Sequence, residues 1–318
     1  MNSASVHALA AILWLTITIT GWSGTTTREE KRGDDQFLIL ENEKARVVVF
    51  PAAGAAICEY VDKRTGINFV AGTVAKGKVG YGWKEVTLLH PNDPNTEWFG
   101  AKPYQAKFLN GDGFKAIVAA CEAGGLRVER EMRLADDSAE LTVILKYSNV
   151  SDRPRGLWLR WHPYMALDDV YAEHSAILIP GPGAHQMRWL PVGAGWDSNS
   201  MDVPGYWLAA NHQTGNGLWM TFRKDEVVDC ITWTDYNFSR HSKRGWFTAE
   251  PLPKPVLLSA GASSELHCTY FPFSAQDEAD KIPMGFIAET DKAAARRFLK
   301  LLKANLSAAL SEIGRAHV

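Results

Sequence analysis

Two neighbouring stretches, residues 126–134 (LRVEREMRL) and 139–149 (AELTVILKYSN), alternate apolar and polar side chains, with the turn-forming Asp136-Asp137-Ser138 between them. Successive side chains of a strand point to opposite faces, so this alternation gives each segment one apolar and one wet face. Units of this kind bury their apolar faces by pairing edge to edge and closing over a common core. Ser151-Asp152 punctuates the end of the second stretch, and residues 156–161 follow as a third strand. That strand is expected to end at His162, because Pro163 has no N–H for a ladder and should turn the chain outward.

Further strand candidates are 37–50, 56–62, 114–120, 176–179, 217–222, 227–233, 246–250 and 265–271, separated by Gly, Pro and Asn-Asp punctuation. Strands do not alternate with long helices, which favours an antiparallel β-sandwich over an α/β fold. Near the end, Phe298, Leu299, Leu301, Leu302, Leu306 and Leu310 recur at helical spacing, so residues 291–311 are expected to form an amphipathic helix packed on the β body.

The chain has 318 residues, 46% hydrophobic and 22% charged, enough to bury one large core over residues 36–290. A net charge of -2 argues against nucleic acid as the main partner, because phosphate binding needs a concentrated basic surface. Ten of the 12 Trp lie between Trp83 and Trp246, the other two being Trp14 and Trp22. Indole faces suit the apolar faces of sugar rings, and they also fill β cores. Both readings stand at this point.

Residues 8–20 form an apolar run too short to span a bilayer, followed by small residues around Trp22-Ser23-Gly24. The expectation is an export signal over 1–24, a periplasmic or secreted protein, and no other membrane association. Residues 25–35 (TTTREEKRGDD) are polar and read as a flexible linker. Cys58, Cys121, Cys230 and Cys268 lack C-x-x-C spacing, which leaves disulfides and buried thiols both open. Residues 312–318 (EIGRAHV) match a translated sequencing adapter and read as a foreign tail, so His317 has no place in a functional argument.

Several segments in order resemble the galactose mutarotase-like (aldose 1-epimerase) superfamily across residues 37–273. Leu40-Glu41-Asn42-Glu43, the run from Val47 to Ala55 with its turn at Gly54, and Asp62-Lys63-Arg64-Thr65-Gly66 are similar to its opening strands. Residues 126–149 resemble its central strands, and Trp161-His162-Pro163-Tyr164 resembles its His-x-Tyr-Phe segment. Phe247-Thr248-Ala249-Glu250-Pro251, then Leu257, Ser259, Gly261 and Tyr270-Phe271-Pro272-Phe273, resemble its glutamate strand and closing strand.

The resemblance implies an all-β antiparallel supersandwich with a sugar ligand, His162 as general acid and Glu250 as general base. Ring opening of a hemiacetal needs such a pair, one group taking the anomeric proton and the other protonating the ring oxygen. The family's Asn-Arg sugar-binding pair has no counterpart, and Lys84 stands where the arginine is expected. His90 corresponds to a second substrate histidine or is a plain loop residue. Asp235 corresponds to a sugar-binding aspartate or is a turn residue. Trp161 and Tyr164 flank the histidine as sugar contacts. Arg244, in Arg240-His241-Ser242-Lys243-Arg244, would suit an anionic sugar such as a uronate, or lie in a solvated basic loop.

His/Asp/Glu clusters at metal-ligand spacing, phosphate loops and a Gly-x-Ser-x-Gly elbow are all missing from the sequence, so no metal or cofactor is expected. The chain is expected to act as a monomer or dimer. Three functions remain: an aldose 1-epimerase-like isomerase, a polysaccharide lyase or glycoside-cleaving enzyme on the same fold, and a non-catalytic carbohydrate-binding protein.

Overall fold

A computed structural model describes residues 24–72, 74–76, 82–88, 98–167, 175–180, 187–191, 197–198, 205–211, 213–234 and 247–316. The chain opens with β1 (Thr26–Arg32), β2 (Asp35–Glu41), β3 (Ala45–Phe50), β4 (Ala56–Asp62), β5 (Ile67–Asn68) and β6 (Trp83–Leu88). A meander follows: β7 (Gln105–Gly111), β8 (Phe114–Ala123), β9 (Leu126–Ala135) and β10 (Leu141–Asn149). Then come β11 (Arg155–Met165), β12 (Ser175–Pro180), β13 (Met187–Pro191), β14 (Asp197–Ser198), β15 (Tyr206–Asn211) and β16 (Asn216–Phe222). The chain closes with β17 (Val227–Thr234), β18 (Phe247–Pro253), β19 (Val256–Leu258), β20 (Ser263–Ser274) and a helix, α1 (Glu289–Ala316).

These strands form two antiparallel sheets. One runs β1-β2-β3-β4-β6-β11-β18-β17-β14, with β5 on β4 and β19 on β11; the other runs β13-β12-β15-β16-β20-β10-β9-β8-β7. Register turns the alternating sequence into faces: Leu141, Val143 and Leu145 on β10 sit opposite Leu134, Met132 and Arg130 on β9, and opposite Tyr270, Cys268 and Leu266 on β20. This layer packs against Val47, Val49, Ile57, Trp83, Leu157, Leu159 and Trp161 of the first sheet.

Strands β15 and β16 read as continuous apolar runs because both their faces are covered. Trp207, Ala209, Leu218 and Met220 point into the inter-sheet core, while Tyr206, Leu208, Ala210 and Trp219 meet Phe298, Leu299 and Leu302 of α1. The expected helix packing is therefore present. The helix runs further than expected, through Gly314 to Ala316.

The expected flexible linker is instead the β1–β2 hairpin. Thr25 N–H donates to Asp136 Oδ1 at 2.8 Å, Thr26 stands opposite Glu41, and Gly33 takes a left-handed φ of 62° at the turn. Its charges are used along and across strands: Arg28 pairs with Glu30 on the same strand at 2.6 Å and Arg32 with Glu59 on β4 at 2.7 Å. The single strand expected over 37–50 is split into β2 and β3 by Asn42, whose Oδ1 accepts from the Lys44 and Ala45 N–H groups at 2.8 Å. All four cysteines are free thiols.

Both sheets are tied by charge inside the core. Arg130 on β9 and Glu85 on β6, each fully buried, form an ion pair, and the guanidinium also donates to the Ala55 carbonyl at 2.5 Å and the Gly54 carbonyl at 3.2 Å. Tyr104 donates its hydroxyl to Glu85, and the guanidinium lies over the Trp161 ring at 5.1 Å. Trp83, Trp161, Trp207 and Trp219 are all fully buried, so for these four the core reading of the tryptophans is the correct one. Among the described residues no helix is long and apolar enough to cross a membrane. The export signal expected over 1–24 lies, apart from Gly24, outside the described residues.

Candidate functional site

Strand β11 lies at the middle of the first sheet and passes through Pro163 to Met165, two residues beyond the expected outward turn. Pro163 is tolerated because the partner changes there: residues 158–163 pair with β6, whereas Tyr164 and Met165 pair with β18. A missing N–H is least costly where one ladder hands over to another. On β11, Leu157, Leu159, Trp161 and Met165 enter the core. Trp158, Arg160, His162 and Tyr164 therefore share the opposite face.

The same parity holds on β18, where Phe247 and Ala249 belong to the core and Thr248 and Glu250 face the other way. Tyr164 stands opposite Thr248, and Lys84 on β6 stands opposite His162. His162, Glu250, Lys84 and Tyr164 thus meet on one face of three adjacent strands. Trp161, expected to contact sugar, points away into the core, where its indole N–H donates to the Tyr270 hydroxyl. A one-residue step along a strand reverses the face, so Trp161 and His162 cannot both look at one ligand. His90, Asp235 and Arg244 lie outside the described residues.

His162 is 3% exposed and Glu250 fully buried, with His162 Nε2 3.1 Å from Glu250 Oε1. The carboxylate is further held by Arg160, which donates Nη2–H to Oε1 at 2.6 Å and Nε–H to Oε2. Thr248 donates its hydroxyl to Oε1 at 2.5 Å. Tyr164 lies against His162 with ring centroids 4.3 Å apart. His162 Nδ1 is buried and has no hydrogen-bond partner among the described residues.

Sequence reasoning missed Arg160 and Thr248. Each sits two residues before a predicted catalytic residue, and the period-two rule that places His162 and Glu250 on one face places these two beside them.

Burial pushes the His162 imidazole down to about 3, with the Arg160 and Lys84 charges pushing the same way, so the ring is neutral at physiological pH. Burial raises the Glu250 carboxyl, while Arg160 and Thr248 pull it back. Lys84, almost wholly buried, is brought down to about 8 by burial and by the Arg130 charge. It still holds its proton at neutral pH. Among the described residues no group of three or more His, Cys, Asp or Glu side chains is arranged to hold a metal ion.

This architecture is the galactose mutarotase-like fold. A galactose mutarotase-like protein from Clostridium acetobutylicum superposes with a TM-score of 0.61 at 10% identity, over 79% of this chain and 99% of that one. A protein assigned as an aldose 1-epimerase from Klebsiella pneumoniae subsp. pneumoniae gives a TM-score of 0.60 at 11% identity, over 88% and 92%. A galactose mutarotase-like protein from Lactobacillus casei gives 0.55 at 14% identity, over 74% and 100%. No protein-family model matches the sequence, and no curated protein matches it.

Proposed function

We propose that the protein performs acid-base chemistry at the anomeric centre of a sugar, as an aldose 1-epimerase-like isomerase. The observation that carries this is the contact between His162 Nε2 and Glu250 Oε1 at 3.1 Å on a buried face of this fold. In the forward step a base takes the proton of the anomeric hydroxyl, the C1–O5 bond breaks with its electron pair going to O5, and an acid protonates O5 to give the open-chain aldehyde. Reclosing on the other carbonyl face gives the other anomer. Glu250 acts as the base that takes the anomeric proton and His162 as the acid that protonates O5, the two groups lying 3.1 Å apart. Lys84, across the ladder from His162, binds the sugar on the same face. Tyr164 lines the same face as a sugar contact.

Nuclear magnetic resonance of anomer exchange in glucose, galactose and glucuronate tests this directly. Acceleration by the wild type that is lost in His162→Gln supports the reading; no acceleration of any of the three sinks it. A second reading, β-elimination on a uronate polymer, is favoured by Tyr164, His162 and the Arg160 cation sharing one face. Release of unsaturated ends from a polyuronate, with no effect on monosaccharide anomers, would select it. Export to the periplasm or beyond belongs to the same proposal and is tested by fractionation of expressing cells; sugar binding without any acceleration of anomer exchange would select a non-catalytic carbohydrate-binding role.

A further inference from the structure

We propose that the site extends along β11 to a second sugar position built on Trp158 and Leu257, so that its preferred substrate is the free anomeric end of an oligosaccharide. The proposal rests on the sugar-acting reading of the His162 face and names the substrate class of that same site.

Strand parity places the two residues. Residues 155–157 of β11 pair with β19 and residues 158–163 with β6, each in continuous register. Leu157, Leu159 and Trp161 enter the core, which leaves Gly156, Trp158, Arg160 and His162 on the other face. On β19, Leu258 belongs to the core and Val256 packs against it, so Leu257 turns outward opposite Gly156. Leu257 and Trp158 are thus diagonal neighbours on the site face, about 7–8 Å apart. Gly156 raises no side chain between them.

The two side chains are not used as packing residues are. Leu257 is 60% exposed, the most exposed large apolar side chain among the described residues. Trp158 is only partly covered, and its indole Nε1–H is buried with no hydrogen-bond partner among the described residues. Tryptophans that serve the core are satisfied: Trp83 donates to the Tyr164 carbonyl at 2.9 Å, Trp219 to the Pro283 carbonyl at 3.0 Å and Trp161 to the Tyr270 hydroxyl. A half-open indole with an unpaired donor, beside an exposed leucine, suits a pyranose, whose C–H face stacks on the ring while a hydroxyl on its rim accepts the N–H. Arg160, held on the Glu250 carboxylate, lines the way between this position and His162.

Spacing sets the size of the ligand. Trp158 lies four residues from His162, about 13 Å along the strand, which is beyond the reach of one hexose. A ring reacting at His162 and Glu250 therefore leaves Trp158 untouched, and a third ring joined to it arrives there. The reaction needs a free anomeric carbon, so the ring at His162 is the reducing end and the rest of the chain runs toward β19. A monosaccharide fills only the reacting position and is used at higher concentration.

The test is anomer exchange followed by nuclear magnetic resonance, comparing cellotriose and maltotriose with glucose, and trigalacturonate with galacturonate. In the wild type at least one trisaccharide should have a KM roughly tenfold below that of its monosaccharide, with a similar kcat. In Trp158→Ala that ratio should return to near one, and Trp158→Phe, which keeps a ring without the N–H, should recover part of it. Leu257→Ser, a change at an exposed position that leaves the core intact, should weaken the preference by itself. Equal KM values for every pair in the wild type overturn the proposal, and so does a preference that survives both Trp158→Ala and Leu257→Ser.

Calorimetric titration with the same sugars separates this proposal from the function on which it rests. Tighter binding of a trisaccharide that depends on Trp158, without anomer exchange, refutes the epimerase reading and leaves the extended site standing; anomer exchange indifferent to chain length refutes only the extended site.

Discussion

Replacing Arg130 by Met should cost about 3–5 kcal/mol of folding stability, the range found when one partner of a buried ion pair is removed. The reason is local. Arg130 and Glu85 are both fully buried, on strands from opposite sheets, so the substitution leaves the Glu85 charge in the core without its counter-ion. It also strips the Ala55 and Gly54 carbonyls of their guanidinium donors. Methionine fills a similar volume and Trp161 still packs beside it, which limits any cavity contribution. With a urea slope of about 3 kcal/mol per molar, the unfolding midpoint should fall by roughly 1 M or somewhat more. The double variant Arg130→Met, Glu85→Gln removes the stranded charge while keeping an acceptor for Tyr104, and should regain at least ~2 kcal/mol of the loss. A single variant within about 1 kcal/mol of wild type, or a double variant no better than the single, would refute the reasoning.

Phe298→Ala should lose about 3–5 kcal/mol, because the ring is buried between Tyr206 and Trp219 where α1 meets the second sheet; a small effect on chemical denaturation would mean that the helix is not docked there. Gly54→Ala should cost about 2 kcal/mol or more, since Gly54 has a φ of 75° and an added Cβ would lie 2.2 Å from the Gly100 carbonyl oxygen; an unchanged thermal midpoint contradicts that. The His162 contribution to stability should fade as pH drops from 6.5 toward about 3, because the unfolded ring takes up a proton that the folded ring refuses; a wild-type minus His162→Gln difference that grows on acidification has the wrong sign. Native thiols should react slowly with an alkylating reagent, Cys58 being pushed up to about 12 and Cys230 and Cys268 well above their ordinary value; a fast native phase at any of these three counts against it.

Much of the fold was legible from period-two patterning, because a half-buried strand writes its two environments directly into alternate residues. Strands β9 and β10 are the plainest instance, and β4 was located to the residue. Where both faces are covered, as on β15, every residue is apolar and the pattern carries no period; what covers the outer face is a helix some eighty residues later. The polar segment 25–35 misled because charge was taken as a sign of solvation, whereas its charges are paired, Arg28 with Glu30 along β1 and Arg32 with Glu59 on β4. Composition does not reveal such pairing. At the site, resemblance supplied His162 and Glu250 and the structure supplied their company. Reading parity outward from His162 reaches Arg160 and rejects Trp161, so the evidence for both was in the sequence. The buried charge pair of Glu85 and Arg130 was beyond reach, since 45 residues and two sheets separate them.

The ion-paired surface of β1 bears on how these molecules behave in a crowd. An outermost strand exposes unpaired N–H and C=O groups on which a second molecule can add its own strand, and repeated addition builds aggregates. Here that strand is only seven residues long. Arg28, Glu30 and Arg32 occupy alternate positions along it, and Arg46 and Glu59 continue the lattice inward. An incoming strand would have to match this sequence of signs to dock without juxtaposing like charges. The hairpin that closes the sheet thus also discourages its growth, a protection that weakens as salt screens the charges.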